Sequence, residues 1–163
     1  MSSKPFNVLF VCTGNLCRSP MAEGILRALL AKKHIPNVIA ASAGIMASDE
    51  REAEPFAISI SRLNGVDISH HRAVMLTRAM LENADLVLTM EKMQFLYVRG
   101  MIPQEKDKVY LLKAFGRKGV EEDVEDPISR DVEAYEDCFA TLKLEISRIL
   151  PLILKRASES EDS

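Results

Sequence analysis

Phe6-Asn7-Val8-Leu9-Phe10-Val11 is a nearly continuous apolar run of strand length, the pattern of a strand buried on both faces of a parallel sheet. A polar stretch with a single glycine follows, Cys12-Thr13-Gly14-Asn15-Leu16-Cys17-Arg18. Ser19-Pro20 then predicts a helix start, with Ser19 in the N-cap role and Pro20 at the first helical position. Met21, Ile25, Ala28 and Leu29 recur at helical spacing and carry that helix to about residue 33. The alternation continues. Residues 38–41 read as a second strand ending at Ser42-Ala43-Gly44, and residues 54–63 as a helix stopped by Asn64-Gly65. Residues 84–90 read as a third strand, 91 to about 99 as a helix stopped by Gly100, and 108–112 as a short fourth strand.

The last helix has the clearest pattern. Val132, Tyr135, Phe139, Leu142, Ile146, Ile149 and Ile153 step by three and four and form one apolar stripe. Pro151 is expected to kink or end it. Longer loops fall near residues 46–53 and 114–131. Alternating strands and helices predict an α/β sandwich around a parallel sheet. Residues 1–157 read as a single domain without repeat or linker, and the Ser/Glu-rich residues 158–163 as a disordered tail.

Composition narrows the function classes. The net charge is only -3, with no basic excess to suggest nucleic acid, so any anion site must be built locally. No stretch approaches the roughly 20 apolar residues of a membrane span, and no secretory signal stands out. The three cysteines are too few and too irregularly placed for a disulfide framework, which points to a cytoplasmic setting. A monomer is expected, with a weak dimer as the alternative.

The loop after the first strand carries the chemistry. In a doubly wound sheet, ligands bind beyond the carboxyl ends of the strands. A loop wrapped on a helix N-terminus aims several backbone N–H groups at one anion. Thr13, Gly14, Asn15, Leu16, Cys17 and Arg18 are therefore expected to bind phosphate, with the Arg18 fork matching two of its oxygens. A free thiol is only about 3% thiolate at pH 7, but beside a helix N-terminus and an Arg it ionises readily. Cys12 is thus the candidate nucleophile, able to accept a phosphoryl group. The plain alternative is a small buried Cys at a strand end beside a surface Arg.

Cys12 and Cys17 lack the spacing of a metal knuckle and Cys138 lies far along the chain, so no metal site and no cofactor are expected. Cys17 has two readings, a redox partner that protects Cys12 as a reversible disulfide, or a packing residue. The leaving group needs a proton, and Asp126-Pro127, in the long loop after the fourth strand, is the candidate donor. Its plain alternative is an ordinary solvated acidic loop.

These residues resemble a known family, the low-molecular-weight protein tyrosine phosphatases. The stretch from Val8 to Glu23, including Cys12-Thr13-Gly14-Asn15-Leu16-Cys17-Arg18-Ser19-Pro20, is similar to the family's N-terminal signature throughout. Ser42-Ala43-Gly44, Asp67-Ile68-Ser69-His70-His71-Arg72-Ala73, Leu88-Thr89-Met90-Glu91 and Glu125-Asp126-Pro127 are similar to its later landmarks, in order. The resemblance implies a three-layer sandwich with a four-stranded parallel sheet flanked by helices. It implies Cys12 as nucleophile, Arg18 as phosphate and transition-state clamp, and Asp126 as general acid and then base. It further implies a supporting network of Asn15, Ser19, Ser42 and His71, with His70 offering the alternative register. The implied substrate is a phosphorylated protein or peptide, and inorganic phosphate is the product.

Some positions depart from the family pattern. Ile128-Ser129 stand after Asp-Pro where phosphotyrosine enzymes often carry an aromatic, and Val74 replaces a frequent Arg. A phosphoarginine-specific branch carries Thr at the position of Leu16, so the apolar Leu16 favours phosphotyrosine. Arsenate reduction would need a further cysteine pair, and Cys138 is the only spare one. A non-catalytic phosphate-binding module is the remaining alternative. Nearby Glu121, Glu122, Asp123 and Glu125 should favour a protonated donor, so an acidic pH optimum is expected. A rate on an alkyl phosphate that keeps rising to about pH 8 or above would count against Asp126.

Overall fold

The opening apolar run becomes β1 (Phe6–Cys12), an inner strand of the sheet. Its side chains alternate between two cores, as a strand's period of two requires. Val8, Phe10 and Cys12 enter one core, with Met21, Ile25 and Leu26 of α1 (Arg18–Lys32) and Leu142, Ile146 and Ile149 of α5 (Val132–Glu161). Leu9 and Val11 enter the other, with Leu81 of α3 (Arg78–Asn83) and Val98 of α4 (Lys92–Met101). Helices cover both faces, giving three layers.

β2 (Val38–Gly44), β3 (Leu86–Thr89) and β4 (Val109–Leu111) complete a four-stranded sheet in the order β2-β1-β3-β4. Every pairing is parallel, with Cys12 opposite Gly44 and Val11 opposite Thr89. α2 (Pro55–Leu63) packs beside α5. This computed structural model describes residues 4–162; residues 1–3 and 163, the ends of the expected domain and tail, lie outside them.

Local differences from the sequence reading have physical causes. α1 begins at Arg18 with Cys17 at the N-cap position, so Ser19 does not cap the helix. Its hydroxyl is committed instead to Cys12 and Asn15. Gly100 does not stop α4, which runs to Met101 and ends before Pro103, where a 3-10 turn (Pro103–Lys108) begins. The short helix α3 has no periodicity to announce it. It starts at Thr77, whose hydroxyl accepts the Met80 N–H at 3.2 Å.

Pro151 does not end α5. One N–H is lost from the helical ladder, but Ile149, Leu150 and Ile153 are buried around it, so packing holds the helix. Residues 158–161, expected as tail, continue the helix, and Asn37 Nδ2 donates to Glu161 Oε1 at 3.1 Å.

α5 is pinned to the segment after β4 by Arg148. Its guanidinium donates to the carbonyls of Phe115 (2.6 Å) and Leu112 (3.1 Å) and to Glu145 Oε1 (2.9 Å). Arg148→Ala should cost about 2 kcal/mol in urea unfolding, because it strands two carbonyls and leaves the buried Glu145 carboxylate only its 3.5 Å pairing with Arg117. A change below about 0.5 kcal/mol would contradict this.

Candidate active site

The strand order places a topological switch at β1. The chain leaves β1 through α1 to one neighbour, β2, and returns through α3, on the opposite face, to the other neighbour, β3. A crevice forms beyond the carboxyl end of such a strand, and here it holds residues 13–17. Gly44, opposite Cys12, lets this loop come close. A Cβ at Gly44 would stand 2.6 Å from Thr13 O and 2.9 Å from Asn15 N, so only glycine fits without displacing loop backbone.

The loop closes around the Cys12 sulfur. Asn15 N–H donates to Cys12 Sγ at 3.3 Å, and Ser19 Oγ lies 2.9 Å from it. Asn15 has φ +57°, a left-handed conformation that Asn tolerates better than most residues. Its side chain is fully buried and every polar atom is used. Oδ1 accepts the Val74 N–H at 2.9 Å, while Nδ2 donates to Ser19 Oγ at 2.8 Å and Ser42 Oγ at 3.0 Å. Because the amide donates to Ser19, the Ser19 hydroxyl proton is free to point at the sulfur. Ser42 in turn donates to Glu23 Oε1 at 2.7 Å.

Among the described residues the N–H groups of Thr13, Gly14, Leu16 and Cys17 meet no acceptor. Buried N–H donors are almost always paired, and Leu16 and Cys17 are buried. These donors belong to the loop that leads from Cys12 to Arg18, a candidate site for an anion.

Arg18 stands at its edge, only 2% exposed. Nη1 bonds the Glu91 carboxylate and donates to Val124 O at 2.9 Å, and Nη2 lies 3.3 Å from Asp126 Oδ2. Burial alone would lower the guanidinium's pKa, but the charges of Cys12, Asp126 and Glu91 outweigh it and hold it above its ordinary value. Asp126 Oδ1 accepts the Ile128 N–H at 3.1 Å, which orients the carboxyl with its other oxygen toward Arg18.

The structure thus brings Cys12, Arg18, Asp126, Asn15, Ser19 and Ser42 together. His71, and not His70, is the histidine of the network, with Nε2 2.8 Å from Asn15 O. Leu16 is buried and its carbonyl accepts the Glu54 N–H at 2.9 Å, anchoring the start of α2. Cys17 turns away, 3.6 Å from Tyr135 Oη. Burial pushes its thiol up to about 12, with Asp126 and Cys12 adding to the rise and the Tyr135 hydrogen bond opposing it. Cys138 is likewise raised to about 12 by burial. All three cysteines are free.

Glu91, Val124, Glu23 and Gly44 were not singled out as site residues in the sequence. The one signal for Glu91 was its place in the Leu88-Thr89-Met90-Glu91 landmark. Among the described residues no group of three or more His, Cys, Asp or Glu side chains is placed to hold a metal. No described helix is long and apolar enough to cross a membrane.

Comparison with known proteins agrees with this geometry. The family described as "Low molecular weight phosphotyrosine protein phosphatase" matches residues 7–159. A "Probable low molecular weight protein-tyrosine-phosphatase EpsP" of Ralstonia solanacearum is 35% identical over 90% of this chain and 94% of its own. The solved structure of "YwlE arginine phosphatase from Geobacillus stearothermophilus" superposes with a TM-score of 0.85 at 32% identity, covering 95% of this chain and 97% of its own. That of the low molecular weight protein tyrosine phosphatase from T. tengcongensis gives 0.83 at 38% identity, covering 90% and 98%.

The buried thiols predict a pH effect. Unfolded cysteines ionise near pH 9 while Cys17 and Cys138 stay protonated up to about 12. Stability conferred by these protonated thiols is whole below pH 9 and is lost as pH rises through that window. In urea unfolding, Cys138→Ala should show a shallower alkaline loss than wild type. An unchanged slope would contradict the assignment.

Proposed function

The chain belongs to the low molecular weight phosphotyrosine protein phosphatase family, and from that membership we propose that it hydrolyses phosphotyrosine in proteins through a cysteinyl-phosphate at Cys12. The observation that carries this reading is the loop after Cys12, whose N–H groups at Thr13, Gly14, Leu16 and Cys17 meet no acceptor among the described residues, while the Asn15 N–H is turned to the Cys12 sulfur. A phosphoryl group seated there presents its phosphorus to Sγ and its oxygens to the N–H groups and Arg18.

In the first step a lone pair of the Cys12 thiolate forms the S–P bond as the P–O bond to tyrosine breaks. Asp126 gives its proton to the departing phenoxide. In the second step the Asp126 carboxylate takes a proton from water, whose oxygen attacks phosphorus as the S–P bond breaks. Inorganic phosphate leaves, and the thiolate and the protonated Asp126 are regenerated. The Ser19 hydroxyl and the Asn15 N–H are aimed at the sulfur, and they stabilise it as an anion both as nucleophile and as leaving group. Arg18 and the N–H groups hold the equatorial oxygens in both steps.

Phosphotyrosine is favoured over phosphoarginine by Leu16, whose side chain brings no hydrogen-bonding group to the loop. The phosphoarginine reading draws on the likeness to the Geobacillus arginine phosphatase. The free cysteines fit a reducing compartment, and the cytoplasm is the proposed location.

Release of phosphate from p-nitrophenyl phosphate, a phosphotyrosine peptide and a phosphoarginine peptide tests the reading. Cys12→Ser should lower kcat on the order of a millionfold, and Asp126→Asn roughly 10²- to 10⁴-fold. Equal turnover by Cys12→Ser would overturn the mechanism, and preference for phosphoarginine would reassign the substrate.

A further inference from the structure

Gln94 is a neutral side chain, fully buried at the third position of α4, yet it belongs to none of the groups that carry the chemistry. Its Oε1 accepts two backbone N–H groups, from Met90 at 2.9 Å and Glu91 at 3.0 Å. Two N–H donors can converge only on the carbonyl oxygen, so they fix which way the amide faces. Nε2 is therefore turned to Thr13, and it donates to Thr13 Oγ1 at 3.1 Å.

The bonds of Gln94 join the two sides of the anion site. Thr13 follows Cys12 directly. Glu91 carries the carboxylate that bonds Arg18, and that carboxylate also accepts a backbone N–H from Gln94 itself. The acid loop is tied to the same corner of β3 and α4. Val124 N–H donates to Met90 O at 2.8 Å, and Lys92 N–H donates to Asp123 Oδ1 at 2.8 Å. Helix capping alone needs only the Oε1 half of the amide. The Nε2 bond to a loop far away in sequence is additional, and it spans the gap between nucleophile and clamp.

We propose that Gln94 is a positioning residue for phosphoryl transfer: its amide holds Thr13 and Glu91 at one separation, and so holds Cys12 at one distance from the Arg18 guanidinium. The inference rests on the phosphatase reading above. Attack needs the sulfur in line with the breaking bond while Arg18 holds the oxygens, and misplacement of about 1 Å can cost on the order of a hundredfold. Loss of the tie therefore acts on turnover more than on substrate binding.

The test separates the tie from the cap. Thr13→Val removes the tie and leaves the cap, Gln94→Met removes both, and Thr13→Ser keeps the hydroxyl. With p-nitrophenyl phosphate, Thr13→Val and Gln94→Met should each lower kcat at least about tenfold, with KM within about threefold. Thr13→Ser should recover most of the kcat that Thr13→Val loses, and the double variant should lose no more than Gln94→Met alone. Wild-type kcat in Thr13→Val, or single losses that multiply in the double variant, would overturn the inference while leaving the phosphatase reading intact. If Gln94→Met does not fold, Thr13→Val against Thr13→Ser decides alone. A wild-type protein that turns over no phosphate monoester would overturn both.

Discussion

The buried guanidinium of Arg18 is the constraint around which the site is arranged. A charge this deep is costly unless paired and hydrogen-bonded. It is met here by the Glu91 carboxylate, the Val124 carbonyl and the Asp126 carboxylate. Those partners come from different places: the end of β3, and the long loop after β4. Arg18 itself begins α1. Satisfying one side chain thus draws three parts of the chain to the carboxyl end of the sheet. The same contacts place the Asp126 carboxyl beside the loop of residues 13–17.

On the other side of the site, hydrogen-bond direction does the arranging. Glu23 can only accept from Ser42, so Ser42 accepts from Asn15. Asn15 must then present its NH₂ to Ser19 as well, and Ser19 is left to donate to Cys12. Val74 N–H holds the opposite end of the same amide. A chain of short polar groups therefore sets which way the hydrogen bond at the sulfur runs, in addition to the charge of Arg18 nearby. Gly44 makes the close approach possible, since any side chain there would meet loop backbone.

Much of this was legible in the sequence because it is local. Residues 12–18 between an apolar run and a helix already read as a candidate anion loop, with Asn15 inside it and Ser19 directly after it. Ser42 and His71 came only with the family resemblance, since nothing in their own neighbourhoods marks them. Glu91, Val124 and Gln94 were hidden for another reason. Their contacts exist because β3 lies beside β1, and strand order is not written in local pattern. Ser19 misled as a cap because its hydroxyl has a stronger use at the sulfur. Pro151 misled as a helix end because burial on both sides of it outweighs one missing N–H. The short helix α3 has too few residues to show a period.

The account stands on covalent transfer of phosphate to one sulfur, and trapping that intermediate tests it most directly. Wild-type protein would be mixed with a phosphotyrosine peptide, quenched within one turnover, and mapped by mass spectrometry under conditions that preserve thiophosphates. The account predicts a phosphoryl group on Cys12 and on no other residue, longer-lived in Asp126→Ala and absent in Cys12→Ala. Phosphate found on another side chain, or trapped with undiminished yield in Cys12→Ala, would contradict it.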